Sequence, residues 1–124
     1  MRRLMIIGVL VAPIMGGQIA YAKSIPGVST VASEGAMGCP QFLVLYAKYP
    51  VPVKALYLAW AQGFMTSMNL VRLNILHKPA VNLESSAFPV SAQWAYLINY
   101  CQQDHSARFI DAVITLMGAV QQEK

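Results

Sequence analysis

The chain has few charged residues, few histidines and few cysteines. These shortages argue against a nucleic-acid-binding protein and against a zinc protein. Only 11% of its 124 residues are charged, and they are scattered without a basic run, which gives no support to nucleic-acid binding. His77 and His105 lie far apart in the chain, so they do not form a typical zinc site. The sequence has no G-x-S-x-G elbow, phosphate loop or dinucleotide fingerprint. We therefore predict that the protein is not an enzyme and uses no metal or cofactor.

The N-terminal residues have the form of a secretory signal. Two arginines follow the initiating methionine, and an apolar run extends from Leu4 to about Met15. Ala20-Tyr21-Ala22 then has the A-x-A form of a cleavage site, which predicts a signal peptide over residues 1–22 and a periplasmic or secreted protein. Proline and glycine interrupt the apolar run well before the roughly 20 residues that a membrane span needs. No later stretch is apolar enough to span a membrane.

Export takes the chain to an oxidising compartment with two cysteines, Cys39 and Cys101. One disulfide between them is therefore expected. The loop that it closes is long, and the chain-entropy model gives it a stabilisation of about 4 kcal/mol. That is a large share of the stability of a small domain. After signal cleavage, seven Lys and Arg side chains face five Asp and Glu, a net charge of +2.

The pattern after the signal predicts a flexible arm and then helices. Residues 23–38 are rich in serine, glycine and alanine and predict the arm, while residues 39–124 form the domain. A short helix begins around Pro40 and ends before Tyr49-Pro50. The longest helix runs from about Val53 to Leu73, because apolar residues recur there at spacings of three and four.

Two further helices follow an irregular connection over residues 74–89. The third runs from about Val90 to Gln102, and the fourth from His105 to about Gln121, with Asp104 as its N-cap. The sequence therefore predicts an all-α domain of four helices, with one disulfide joining the first helix to the third.

Apolar stripes on these helices predict the core. On the longest helix Gly63 lies on a second line of small residues, which predicts the close approach of another helix. The predicted core residues are Phe42, Leu56, Trp60, Gly63, Phe64, Trp94, Phe109 and Val113. A domain with so few charges is expected to expose an apolar patch to a protein partner. The candidate residues for that surface are Tyr57, Met65, Met68 and Tyr96.

Both cysteine regions resemble the HdeA/HdeB acid-stress chaperones of bacterial periplasms. Gly38-Cys39-Pro40-Gln41-Phe42-Leu43 is similar to the opening of that family, and residues 100–113 are similar to its second cysteine and the segment after it. The resemblance implies an HdeA-like helical fold with a Cys39–Cys101 disulfide. It also implies a homodimer at neutral pH that dissociates in acid and binds unfolding clients. This chain carries far fewer charges than those chaperones.

The sequence thus favours a periplasmic protein-binding domain, and within that class an acid-stress chaperone that holds unfolded clients. One alternative is an immunity or inhibitor protein that neutralises a toxin delivered to the periplasm. Another is an accessory subunit of an envelope complex. A chaperone binds many unfolded proteins, whereas an immunity protein binds one toxin tightly without a trigger.

Overall fold

Four α-helices and one turn of 3-10 helix make up the computed structural model, which describes residues 31–122. The 3-10 turn is Ser33–Ala36, and the helices are α1 (Cys39–Lys48), α2 (Pro50–Asn74), α3 (Val90–Gln103) and α4 (Phe109–Gln122). The predicted all-α fold is confirmed. The predicted signal peptide and residues 23–30 of the predicted arm lie outside the described residues.

The predicted disulfide is also confirmed, and it joins the first residue of α1 to the end of α3. The Cα atoms of Cys39 and Cys101 lie 4.9 Å apart, and both side chains are fully buried. Two backbone hydrogen bonds reinforce the same point: Cys39 N–H donates to the carbonyl of Ala107 (2.9 Å), and Phe109 N–H donates to that of Met37 (2.8 Å). The N-terminus of α1 is therefore fixed to the C-terminal end of α3 and to the N-terminal end of α4.

Helix α2 begins three residues earlier than predicted, with Pro50 and Pro52 in its first turn. Proline fits there because the first-turn N–H groups of a helix have no intrahelical acceptor. At the other end, Lys78 N–H donates to the carbonyl of Arg72 (2.8 Å), and His77 has a φ of 50°. His77 thus has the left-handed backbone conformation that glycine adopts most readily. With 25 residues, α2 is about 37 Å long.

The side of α2 that faces the core is offset by one residue from the predicted stripe. Its buried residues are Val53, Tyr57, Ala61 and Met65. The prediction that Leu56 is a core residue is wrong, because its side chain is 54% exposed. Trp60 and Phe64 are half-buried and pack at the edge of the core. The predicted stripe and the buried stripe beside it are both apolar, so periodicity alone did not distinguish the inner one.

Gly63 is also not a core residue. It is exposed, and a Cβ built on it would meet no atom within 4 Å. The predicted close approach of another helix therefore does not occur among residues 31–122. The line of small residues around Gly63 faces solvent.

The core is centred on the ring of Phe42. Its centroid lies 4.8 Å from those of Tyr57 and Phe109 and 5.8 Å from that of Trp94. Burial raises the pKa of the Tyr57 hydroxyl. Phe42, Trp94, Phe109 and Val113 are buried, as predicted. The apolar face of α4 supplies much of the remaining core.

Part of the predicted flexible arm is packed against the domain. The 3-10 turn contacts α2 and α4, and Gly35 within it is buried. The backbone of Gly35 lies so close to the ring of Trp60 that a Cβ there would overlap the ring. The domain therefore begins before Cys39, and the turn covers one side of Trp60.

The predicted capping role of Asp104 is wrong, because α4 begins only at Phe109. Asp104 ends α3, and its Oδ1 accepts hydrogen bonds from Ser106 Oγ (2.7 Å) and Ser106 N–H (3.0 Å). These bonds lower the pKa of the Asp104 carboxyl. Asp111 occupies the first turn of α4, and its Oδ2 accepts a hydrogen bond from Arg108 N–H (2.8 Å). That bond supports the N-terminus of α4.

Two glycine-to-alanine substitutions are expected to change stability in opposite directions. Gly35→Ala should lower the free energy of unfolding by about 1–3 kcal/mol, because the new methyl group displaces the Trp60 ring. Gly118→Ala on α4 should raise it by about 0.5–1 kcal/mol, because its Cβ meets open space and alanine favours the helix. Urea unfolding of both variants measures the two shifts. A Gly35→Ala protein as stable as the wild type would contradict the tight contact.

Candidate functional site

Helix α2 has an unusually uncharged surface for a helix at the outside of a small domain. The 17 residues between Lys54 and Arg72 include no Asp, Glu, Lys or Arg. Surface helices normally present charged residues on the side away from the core. The exposed sides of α2 are therefore candidate surfaces for contact with another protein.

One side of α2 forms an apolar groove with α4, which we call the α2–α4 groove. Its apolar lining is Phe64, Met68, Leu76, Ile114, Met117 and Gly118, and Arg72 and Gln121 complete it. The groove has a volume of about 220 Å³ and is open to solvent. Leu76 and Ile114 are about half exposed, and a Cβ at Gly118 would meet nothing within 4 Å. A shallow surface therefore remains available to apolar side chains of a partner.

The groove contains no group suited to acid–base or metal chemistry. No histidine, cysteine, aspartate or glutamate is among its lining residues, and its one charged side chain is Arg72. Arg72 Nε donates to the carbonyl of Pro79 (2.9 Å), which ties this side chain to the connection after α2. The carboxylates found between residues 31 and 122 belong to Glu34, Glu84, Asp104 and Asp111, and none lines the groove. Acid therefore leaves the charge of the groove unchanged.

The irregular connection between α2 and α3 is anchored beside the groove by two side-chain amides. Asn69 accepts a hydrogen bond from Val81 N–H (2.8 Å) and donates one to the Val81 carbonyl (2.9 Å). The Gln93 side chain is fully buried. Its Nε2 donates hydrogen bonds to the carbonyls of Leu83 (2.9 Å) and Phe88 (3.0 Å). Its Oε1 accepts a hydrogen bond from Gln62 Nε2 (2.7 Å). These bonds satisfy a buried amide and fix the connection against the C-terminal half of α2.

The structure separates the four residues that the sequence proposed for a binding surface. Tyr57 and Met65 are buried on the core side of α2, so neither is available to a partner. Met68 is half-buried and lines the α2–α4 groove. Tyr96 is half-buried on α3, where its ring lies 6.3 Å from that of Phe88, away from the groove. The first two assignments are wrong because the inner stripe of α2 includes both residues.

Sequence reasoning missed most of the groove. Leu76, Ile114 and Gly118 were not proposed for a surface, and Phe64 was assigned to the core. One signal that points to α2 was present, namely the 17-residue stretch without a charge. No comparable signal identifies Ile114, because most of the other apolar residues of α4 are buried.

Comparison with known proteins adds no relative. No protein-family model, no curated protein and no solved structure matches the chain. Within residues 31–122, no helix has both the length and the apolar character to cross a membrane. The same residues contain no cluster of three His, Cys, Asp or Glu side chains that could hold a metal ion.

Proposed function

We propose that this chain is an exported, disulfide-stabilised protein-binding domain that holds apolar segments of unfolded proteins in the α2–α4 groove. The observation that carries the proposal is the open apolar lining of that groove, in which the half-buried Met68 accompanies the exposed side chains of Leu76 and Ile114. Methionine side chains are flexible and polarisable, so such a surface adapts to different apolar partners.

The dimensions of the groove favour side chains of a protein over a small molecule as the ligand. Its volume of about 220 Å³ is below the range of roughly 300–1,000 Å³ that is usual for small-molecule sites. Apolar side chains of an unfolded chain need only a shallow depression of this kind. The buried disulfide links α1 covalently to α3.

Export to the periplasm or beyond is part of the proposal. The A-x-A site and the pairing of Cys39 with Cys101 both support it. The resemblance of the cysteine regions to HdeA/HdeB supports the binding of unfolded clients. The proposal departs from that family in one respect: the lining of the groove has no carboxylate, so protonation in acid does not change the charge of the lining itself.

Aggregation of citrate synthase diluted out of guanidinium at pH 7 tests this function. The wild-type chain is expected to suppress the light scattering of this client. Ile114→Glu should weaken the suppression about tenfold, because a carboxylate must lose its hydration to enter an apolar contact. Val44→Glu is the matched control, because Val44 is also exposed, on α1, and lies outside the groove. This control should suppress aggregation as the wild type does.

Equal loss of suppression in both variants would contradict a site in the groove. A wild-type chain that suppresses nothing at pH 7 or pH 3, yet binds one native protein tightly at neutral pH, would assign the protein to the immunity or inhibitor class. Titration calorimetry with that native protein would then replace light scattering as the informative measurement.

A further inference from the structure

A second cavity lies beside the α2–α4 groove, between the end of α2, the connection that follows it and the end of α4. We call it the Arg72 cleft. It has a volume of about 240 Å³, and its polar lining is Arg72, Asn82, Ser85 and Gln121. Arg72 and Gln121 line the groove as well, so the two cavities meet at these side chains. A ligand in the groove can therefore extend directly into the cleft.

Local hydrogen bonds in the Arg72 cleft use acceptors and leave donors. Asn82 Oδ1 accepts a bond from Glu84 N–H (3.1 Å), and Ser85 Oγ accepts one from Ala87 N–H (3.2 Å). The Asn82 amide nitrogen and the Ser85 hydroxyl proton have no partner among residues 31–122, and neither does the Gln121 amide. The cleft is therefore suited to a ligand that accepts hydrogen bonds.

Arg72 adds a positive charge to these donors. Its Nε donates to the carbonyl of Pro79 (2.9 Å), which holds the guanidinium where the two cavities meet. Its terminal nitrogens have no acceptor among residues 31–122, where the one ion pair joins Arg108 to Asp111. The sequence has no Asp or Glu from residue 35 to residue 83, and the exposed Glu84 does not line the cleft. The lining of the cleft therefore provides no negative charge to balance Arg72.

We propose that the Arg72 cleft binds the carboxylate of an Asp or Glu side chain in the client segment whose apolar side chains occupy the α2–α4 groove. A carboxylate accepts hydrogen bonds only, and a guanidinium can donate two parallel bonds to it. The donors of Asn82 and Ser85 can add further bonds to the same group. This inference rests on the proposed function and adds to it a preference for acidic residues beside apolar ones.

The positions of the two cavities along α2 set the spacing of such a segment. Phe64 and Met68 line the groove eight and four residues before Arg72, which is about 6–12 Å along the helix axis. An extended chain rises about 3.3 Å per residue. The acidic residue is therefore expected about two to four residues from the apolar one. The open groove lets the segment continue past the site, so a side chain rather than a chain end supplies the carboxylate.

Fluorescence anisotropy with labelled peptides at pH 7 tests the preference. The first probe is a peptide blocked at both ends, in which three leucines are followed two residues later by one glutamate. The second has glutamine in place of that glutamate. The wild-type protein is expected to bind the glutamate peptide about tenfold more tightly, because hydrogen bonds between two charged groups are the stronger ones. A third peptide has glutamine and a free C-terminal carboxylate, and tighter binding of this peptide than of the first would overturn the assignment to a side chain.

Gln121→Glu and Gln122→Glu form a matched pair of variants. Gln121 lines the cleft, whereas Gln122 is the next residue of α4, exposed and outside the lining. Gln121→Glu places a carboxylate beside Arg72 and should reduce the preference for the glutamate peptide from about tenfold to none. Gln122→Glu makes the same change of charge and should keep the preference. An equal effect of the two variants would overturn the site.

The failure of this inference and the failure of the proposed function give different results. Equal binding of the glutamate and glutamine peptides, weakened for both by Ile114→Glu, would overturn the carboxylate site and still support the groove. A chain that binds neither peptide and does not suppress the aggregation of citrate synthase would contradict the groove itself. Glu123→Gln should leave the preference unchanged. A gain in affinity for the glutamate peptide in that variant would assign the cleft to this chain's own carboxylate and overturn the client as its ligand.

Discussion

Phe42→Ala is expected to lower the free energy of unfolding by about 3–5 kcal/mol, the usual cost of removing a buried phenylalanine ring. The ring is fully buried and contacts three other elements of the core through Tyr57, Trp94 and Phe109. These rings are held by different helices, so they close only partly over the cavity that alanine leaves. A shift of the urea midpoint, with an unchanged slope, measures the effect.

Tyr49→Ala provides the matched control for this substitution. Tyr49 follows α1 directly, its side chain is 48% exposed, and its ring contacts the ammonium group of Lys48. Its loss should change the free energy of unfolding by less than about 1 kcal/mol. Similar losses in the two variants would show that Phe42 is not the centre of the core.

Removal of the disulfide is the second large effect that we expect. The Cys39→Ser/Cys101→Ser double variant should lose about 2–5 kcal/mol of stability, because the bond closes a loop between residues 62 positions apart. Both sulfur atoms are also buried, so the serine hydroxyls enter a site made for apolar groups. Replacement of both cysteines avoids a free thiol.

Reduction supplies the control for the disulfide prediction. A reducing agent should lower the urea midpoint of the wild type towards that of the double variant and leave the double variant unchanged. Equal midpoints for the oxidised wild type and the double variant would contradict a stabilising role. The buried position of the bond predicts that reduction is slow unless the domain first opens.

Phe64 lies between two exposed surfaces of α2. On one side of Phe64 is the α2–α4 groove, where an unfolded segment would bind. On the other side, Ala59, Gly63 and Ser67 line a shallow depression with Trp60. The helix carries no charged residue from residue 55 to residue 71.

The amino-acid pattern was enough to predict the class of fold and its main covalent constraint. Proline at the start of α1, helical periodicity and a pair of cysteines were sufficient, because each acts locally or has one possible partner. The buried face of α4 was also predicted, since that helix has one clearly apolar side.

Which side of α2 is buried depends on how the other helices pack against it. Leu56 and Tyr57 are neighbours on a helix that has apolar residues on several sides. The packing of α1 and α4 against this helix buries Tyr57 and leaves Leu56 exposed. The same packing brings Phe64 within one groove with Ile114, 50 residues later in the chain. Periodicity reports that a helix has an apolar side, but contact between distant segments determines which side meets the core and which remains for a partner.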